Sequence, residues 1–251
     1  MPESARSALR KARQNGHQIV LCSSRSKYQI YPWLLEPGFD GIVAAAGAYA
    51  EHNGEIIYQH FMSEDELYKA VTLLDHAGAC CSAQAAGRMI TSASHRIRHL
   101  ARFKKLADEE MISQIWQHVE LSDQIWQHED VEKLVYYEST MNVAEIQKQP
   151  AGICDVTESS FETEQSDSGE ITCCGINKAH GMEKYIIHTG MAKADIIAFG
   201  DGPNDFDMIS YAAVGMAMGN AVEALKSQAD FVTKGIDEDG IAYALLELGL
   251  I

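Results

Sequence analysis

The sequence predicts an α/β fold in which a core of parallel strands is interrupted by an inserted segment of α+β character. Two short apolar runs, "HQIVLC" (17–22) and "DIIAFG" (195–200), each end in polar or glycine residues and lead into a helical pattern, as buried parallel strands do in βα units. Between them the chain changes character: over residues 62–168, helix-like stretches ("SEDELYKAVTLLDHAG", "DEEMISQIWQHV") mix with strand-like ones ("EKLVYYES", "CDVTESSFETE"). The chain has 251 residues, 46% of them hydrophobic, which is enough for a core and a smaller second domain. The expected division is a core of residues 1–61 and 169–251 and an inserted domain of residues 62–168.

The first element is a helix, "PESARSALRKARQNG", in which Pro2 suits the first turn and Gly16 the C-terminal cap. After the first strand, "KYQIYPWLLEPGF" reads as a short helix broken at Pro32 or Pro37. "DGIVAAAGAYAEHNGEIIY" reads as a strand followed by a hairpin turning at Asn53-Gly54, a pair that tolerates the positive φ of a tight turn. Towards the C-terminus, "AAVGMAMG" is a small-residue strand, "NAVEALKSQA" a helix capped by Asn220, "DFVT" a strand and "DEDGIAYALLELGL" a closing helix. The pentapeptide "QIWQH" occurs twice in the inserted segment, too short an echo to be a structural repeat.

Acidic residues outnumber basic ones 36 to 20, for a net charge of −16, and no dense run of Lys or Arg is present. Nucleic acid and anionic membranes are therefore not expected partners. A phosphate ester is repelled by the same field, so binding one requires local cations. The six cysteines show no C-x-x-C and no zinc-ligand spacing with histidine, which suits reduced thiols in a cytoplasmic protein. The N-terminal segment has no apolar leader core, and no apolar run approaches the roughly 18 residues of a membrane span. Nothing in the sequence speaks to oligomeric state.

Three stretches carry the chemistry. In "AFGDGPNDFDM", Asp201 directly follows a predicted parallel strand, the end at which open α/β sheets bind ligands. Its clustered carboxylates are hard oxygen donors suited to Mg²⁺, which takes one or two carboxylates plus substrate phosphate. The bland alternative is an Asx-rich turn capping the next helix. "LCSSRS" places Ser23, Ser24 and Arg25 at a strand-to-helix junction, where hydroxyls and free amides cradle anions, although serines there more often act as caps. In "GINKAHGMEKYIIHTG", Lys178 begins a helix, where a cation opposes the helix dipole and is better explained by an anion to neutralise.

Taken in chain order, with a domain inserted between "LCSSRS" and "GINKAHGMEKYIIHTG", these stretches resemble the haloacid dehalogenase superfamily, specifically its Cof-like sugar-phosphatase branch (subfamily IIB). "VLCSSR" is similar to the family's second motif, "GINKAHGMEKYI" to the third and "IIAFGDGPNDFDMI" to the fourth, with "VGMAMGNA" and "ADFVTKGIDEDGIAYAL" following. The resemblance implies a Rossmann-like core with a mobile α+β cap. It also implies a Mg²⁺-dependent phosphatase of small phosphorylated metabolites that works through a phosphoaspartyl intermediate. On this reading Ser23, Ser24 and Asn204 bind the phosphoryl group, Lys178 offsets its charge, Asp201 holds Mg²⁺, and Asp205 orients the metal shell and the lysine. Phosphoryl transfer asks mainly for such positioning and for cations at the equatorial oxygens.

The family's first motif, a strand ending in D-x-D-G-T that supplies the nucleophile and the general acid and base, is not among these residues. In the family that strand precedes the helix that here spans 2–15, so the sequence begins one strand later than the pattern. Asp40 and Asp195 stand at strand beginnings, whereas a catalytic carboxylate sits at the C-terminal lip. Two expectations follow: a phosphatase by family whose 251 residues are inactive as given, or a non-catalytic protein that uses the same cradle to bind phosphorylated ligands or to regulate. Lacking about five buried apolar side chains of a central strand, at roughly 1.5–3 kcal/mol each, the chain should also be marginally stable against a typical net of about 5–15 kcal/mol. A smaller departure is Ala46-Gly47-Ala48 in place of the branch's Asn-Gly-Ala, which keeps the turn glycine and loses an asparagine.

Overall fold

The computed structural model describes residues 1–106, 112–113, 116–149, 154–159 and 167–251. They form two compact units: Met1–Ser24, Ile30–Tyr58 and Asn177–Ile251 make the first, Arg25–Gln29 and Gln59–Ile176 the second.

In the first unit, α1 (Glu3–Gln14) buries Ala5, Ala8 and Ala12, a stripe at helical spacing. Gly16, at φ 95°, turns the chain towards β1 (Val20–Cys22). β1 pairs in parallel with β2 (Gly41–Ala44), Val20 opposite Gly41 and Cys22 opposite Val43. β3 (Tyr49–His52) runs antiparallel to β2, and β4 (Glu55–Gln59) closes a four-stranded sheet in the order β1-β2-β3-β4. Asn53 and Gly54, at φ 50° and 84°, form the β3–β4 turn at the expected dipeptide. The segment read as one broken helix is instead two 3₁₀ turns, Lys27–Gln29 and Pro32–Leu35. Pro32 opens the second, where its fixed φ suits a helical start but its missing N–H prevents continuation from the first.

The second unit is built on a six-stranded sheet with α2 (Glu64–His76) and α3 (Ala93–Leu106). Ser63 and Glu66 form a reciprocal capping box at the start of α2, whose Leu67, Ala70, Val71 and Leu74 are buried. The strands are β5 (Cys80–Ala85), β6 (Arg88–Thr91), β7 (Val119–Leu121), β8 (Val131–Tyr137), β9 (Cys154–Glu158) and β10 (Gly169–Cys173), and a short helix α4 (Val143–Gln147) precedes β9. Their order is β7-β6-β5-β8-β10-β9, antiparallel apart from the β6–β7 pair. β8 is buried at all seven positions, and its Lys133 is paired with Glu170 at 2.7 Å. This unit extends past residue 168 to Ile176 because β10 hydrogen-bonds to β8 and β9. Half of "DEEMISQIWQHV" and the end of "CDVTESSFETE" lie outside the described residues.

The chain then completes the first unit. α5 (Lys178–Thr189) is capped by Asn177, whose side chain accepts from the His180 amide at 3.0 Å, and ends at left-handed Gly190. β11 (Ile197–Gly200), α6 (Phe206–Tyr211), β12 (Val214–Ala217), α7 (Glu223–Gln228), β13 (Phe231–Val232) and α8 (Gly240–Glu247) follow, the strands forming a parallel sheet in the order β11-β12-β13. Asn220 does not cap α7, which starts after Val222; its Oδ1 accepts from the Ile236 amide at 2.9 Å.

The parallel strands thus fall into two sheets, with β1 and β11 each the last strand of its own. Cys22 and Phe199, from these two strands, nonetheless pack against one apolar cluster containing Met182, Ala198, Met208 and Leu225. No helix among the described residues is long and apolar enough to cross a membrane.

Candidate functional site

Every residue assigned to the site by sequence lies in the first unit, at the C-terminal ends of β1 and β11 and at the start of α5. Past β1, the Ser23 amide continues the parallel ladder by donating to Val43 O at 2.8 Å, and Ser23 O accepts from the Ala46 amide at 3.3 Å. Past β11, the turn "GDGPND" folds back on itself: Asp205 Oδ2 accepts from the amides of Asp201 (2.9 Å) and Gly202 (3.0 Å). Gly200 permits this, since a Cβ there would stand 2.6 Å from that of Asp205.

Lys178, the first residue of α5, is 6% exposed. Its Nζ donates to Asp205 Oδ1 at 2.6 Å and to Asn204 Oδ1 at 3.0 Å. The Asn204 amide group donates in turn to Ser24 Oγ at 2.8 Å. A continuous polar chain therefore runs Ser24–Asn204–Lys178–Asp205, bringing together residues 180 apart in sequence. Ammonium, carboxamide and hydroxyl side by side at a helix N-terminus form an arrangement that receives an oxyanion.

Asp201 stands outside that chain with an exposed side chain, its Oδ2 accepting a long 3.4 Å bond from Asn220. Both oxygens of Asp205, by contrast, are engaged by the lysine and the turn amides. The donor set fits a hard cation bound through Asp201 and ligand oxygens, with Asp205 fixing the loop that carries it. Among the described residues no three His, Cys, Asp or Glu side chains group to hold a metal by themselves.

Several further residues shape the site. Asn177 fixes the start of α5. Ala45, Ala46 and Gly47, at the end of β2, adopt φ of 50°, 54° and 101°, three consecutive left-handed residues. A Cβ on Gly47 would fall 1.8 Å from Asn177 O, so the loop and the N-terminus of α5 approach as closely as backbone allows. Cys22 sits at the strand end beside the site, and burial pushes its thiol up to about 12, with Lys178 opposing and Asp205 reinforcing the shift. It stays a neutral thiol and is no substitute nucleophile. Asp40 accepts from Arg13 of α1 (3.1 and 2.7 Å) and from the Ile19 amide, and Asp195 accepts from the Ala192 amide; both are structural, as their places at strand beginnings suggested.

The family model for haloacid dehalogenase-like hydrolases matches residues 1–245, and the chain belongs to that family. It is 30% identical over its whole length to YkrA of Bacillus subtilis, named as a candidate phosphatase, and covers 92% of that protein. It is 27% identical to a Streptococcus pyogenes protein named for combined phosphatase and peptidyl-prolyl isomerase functions, but spans 50% of that longer chain. Among solved structures, the subclass IIB sugar phosphatase BT4131 superposes with a TM-score of 0.81 at 25% identity, covering all of this chain and 93% of the other.

Proposed function

We propose that this chain binds small phosphorylated metabolites in a Mg²⁺-dependent phosphomonoesterase site. The observation that carries the reading is Lys178: a buried ammonium at a helix N-terminus, held by Asn204 and Asp205 and joined through Asn204 to Ser24. Structural needs alone do not favour a cation there, because the helix end is already positive. Lys178 offsets charge on the phosphoryl oxygens; Ser23, Ser24 and Asn204 hold and orient that group. Asp201 holds the Mg²⁺, which supplies further charge neutralisation at the phosphate when bound. Asp205 keeps the lysine and the Asp201 loop in place. The inserted domain, residues 62–168 as read from the sequence, serves as the cap that selects the substrate.

The phosphoaspartyl route needs a carboxylate at a strand's C-terminal lip as nucleophile. Asp40 and Asp195 are tied into structural contacts, and Asp201 and Asp205 have the roles above. These 251 residues by themselves are therefore expected to bind phosphate esters without turning them over. That favours a second reading, a binding or regulatory protein that uses the same cradle. The test is hydrolysis of p-nitrophenyl phosphate with Mg²⁺ by this chain and by a version with a D-x-D-G-T strand placed before Met1, alongside equilibrium binding of the ester to both. Binding by both with turnover only in the extended version supports the phosphatase reading. Binding without turnover in either supports the binding protein. Turnover by the 251 residues alone overturns the assignment of roles.

A further inference from the structure

The cysteines of the second unit are not equivalent. Cys154 in β9 and Cys173 in β10 are register partners directly opposite each other, with Ile171 facing Val156 and Gly169 facing Glu158 along the same pair of strands. The hydrogen-bond pattern fixes which kind of pair they are. In an antiparallel ladder, opposite residues alternate between pairs that exchange backbone hydrogen bonds and pairs that do not, the latter with Cα atoms only about 4.5 Å apart. The Ser159 amide donates to Ser168 O at 3.3 Å, which makes the next position along this ladder a hydrogen-bonded pair. Counting back by alternation, Thr157/Glu170 and Asp155/Thr172 are bonded pairs, and Cys154/Cys173 is a close, non-bonded one. Directly opposed residues project to the same face, and that spacing lies inside the range of about 4.4–6.8 Å that disulfides span.

We propose that Cys154 and Cys173 are a thiol pair that closes to a cross-strand disulfide when the protein meets a small-molecule disulfide oxidant. One thiol gives its proton to water and its sulfur attacks glutathione disulfide, breaking that S–S bond and releasing one glutathione, which takes up a proton. The second thiol, likewise deprotonated, attacks the protein-bound sulfur and releases the other glutathione. Two protein thiols are oxidised and one glutathione disulfide is reduced to two thiols. Both cysteines are buried, at 7% and 3% exposure, and burial pushes both thiols up to about 12. Closure therefore proceeds through opening of β9, the last strand of its sheet, and is slow and selective rather than immediate. Neighbouring Cys174 is exposed and lies past the end of β10, outside the paired register.

The experiment is titration of free thiols, under denaturing conditions, after incubation with glutathione disulfide. The count is expected to fall from six to four, to return to six with dithiothreitol, and to fall by the same two in Cys174→Ser. In Cys154→Ser and in Cys173→Ser no intramolecular link should form. Peptide mapping of the unsubstituted protein decides the matter even if a variant fails to fold: a Cys154–Cys173 crosslink supports the proposal. Six surviving thiols, glutathione adducts without that crosslink, or a link to Cys174, Cys80 or Cys81 would overturn it.

Discussion

The buried Lys178–Asp205 pair allows a quantitative test of how the site is held. Both side chains are 7% exposed and 2.6 Å apart, so neither charge has water to fall back on. Replacing Lys178 by Met keeps much of the apolar stem and leaves Asp205 with its two turn amides but no counter-charge. Removing one partner of a buried pair costs about 3–5 kcal/mol. The two amide bonds to Oδ2 survive, which places the expectation at the lower end, about 3 kcal/mol. At roughly 2–4 °C per kcal/mol for a chain of this size, the melting temperature should fall by about 6–12 °C. Asp205→Leu removes the amide acceptor as well and should cost more. The double variant should cost clearly less than the sum of the two, with a coupling energy above about 1 kcal/mol. Thermal and urea unfolding of the four proteins supply the cycle. A coupling within about 0.5 kcal/mol of zero would refute the view that these two groups hold each other in place.

Other perturbations reach different parts of the molecule. Ala46, at φ 54°, holds a conformation that costs an ordinary residue about 1–2 kcal/mol and that asparagine tolerates, so Ala46→Asn should raise the melting temperature by about 2–4 °C; a fall would show that the loop is not strained. Gly47→Ala places a methyl against the Asn177 carbonyl and should both destabilise the protein by more than about 1 kcal/mol and weaken phosphate binding, read by calorimetry; unchanged binding would separate this loop from the site. Burial lowers the pKa of His99 to about 4, so it folds in its neutral form. Because the unfolded imidazole takes up its proton near pH 6.5, stability from this group is complete above that pH and is lost as pH falls from about 6.5 to 4, by up to roughly 3 kcal/mol. His99→Gln should flatten that stretch of the urea-derived stability profile, and an unchanged slope would assign the loss to other groups.

How much of this was legible in the sequence varies with range. Helix α1 was readable from its end residues Pro2 and Gly16, and the β3–β4 turn from Asn53-Gly54, since each depends on neighbours a few residues away. The grouping of Lys178, Asn204, Asp205 and Ser24 was legible only through the family pattern, because their contacts span up to 180 residues. Asn220 looked like a helix cap because cap residues are recognised by composition; its side chain instead serves the Asp201 turn and the Ile236 amide, a tertiary choice no local signal records. Likewise the residues around Pro32 have helical periodicity without enough uninterrupted chain for an α-helix. The left-handed run at Ala45–Gly47 was hidden because two of its three residues are alanines, which advertise helix rather than positive φ.

The hydrogen bond from Asn204 to Ser24 joins a residue just past β11 to one just past β1, strands of two separate sheets. The polar cradle is therefore also a clasp. An oxyanion that engages Lys178, Asn204 and the serines together binds only when the two halves of the first unit are docked, and has nothing to grip when they part. If inorganic phosphate takes the place proposed for the phosphoryl group, mass action makes it a folding ligand: at a hundredfold excess over its dissociation constant it would add about 2.7 kcal/mol to the docked state. A protein whose chemistry is phosphate would thus draw part of its cohesion from the phosphate around it.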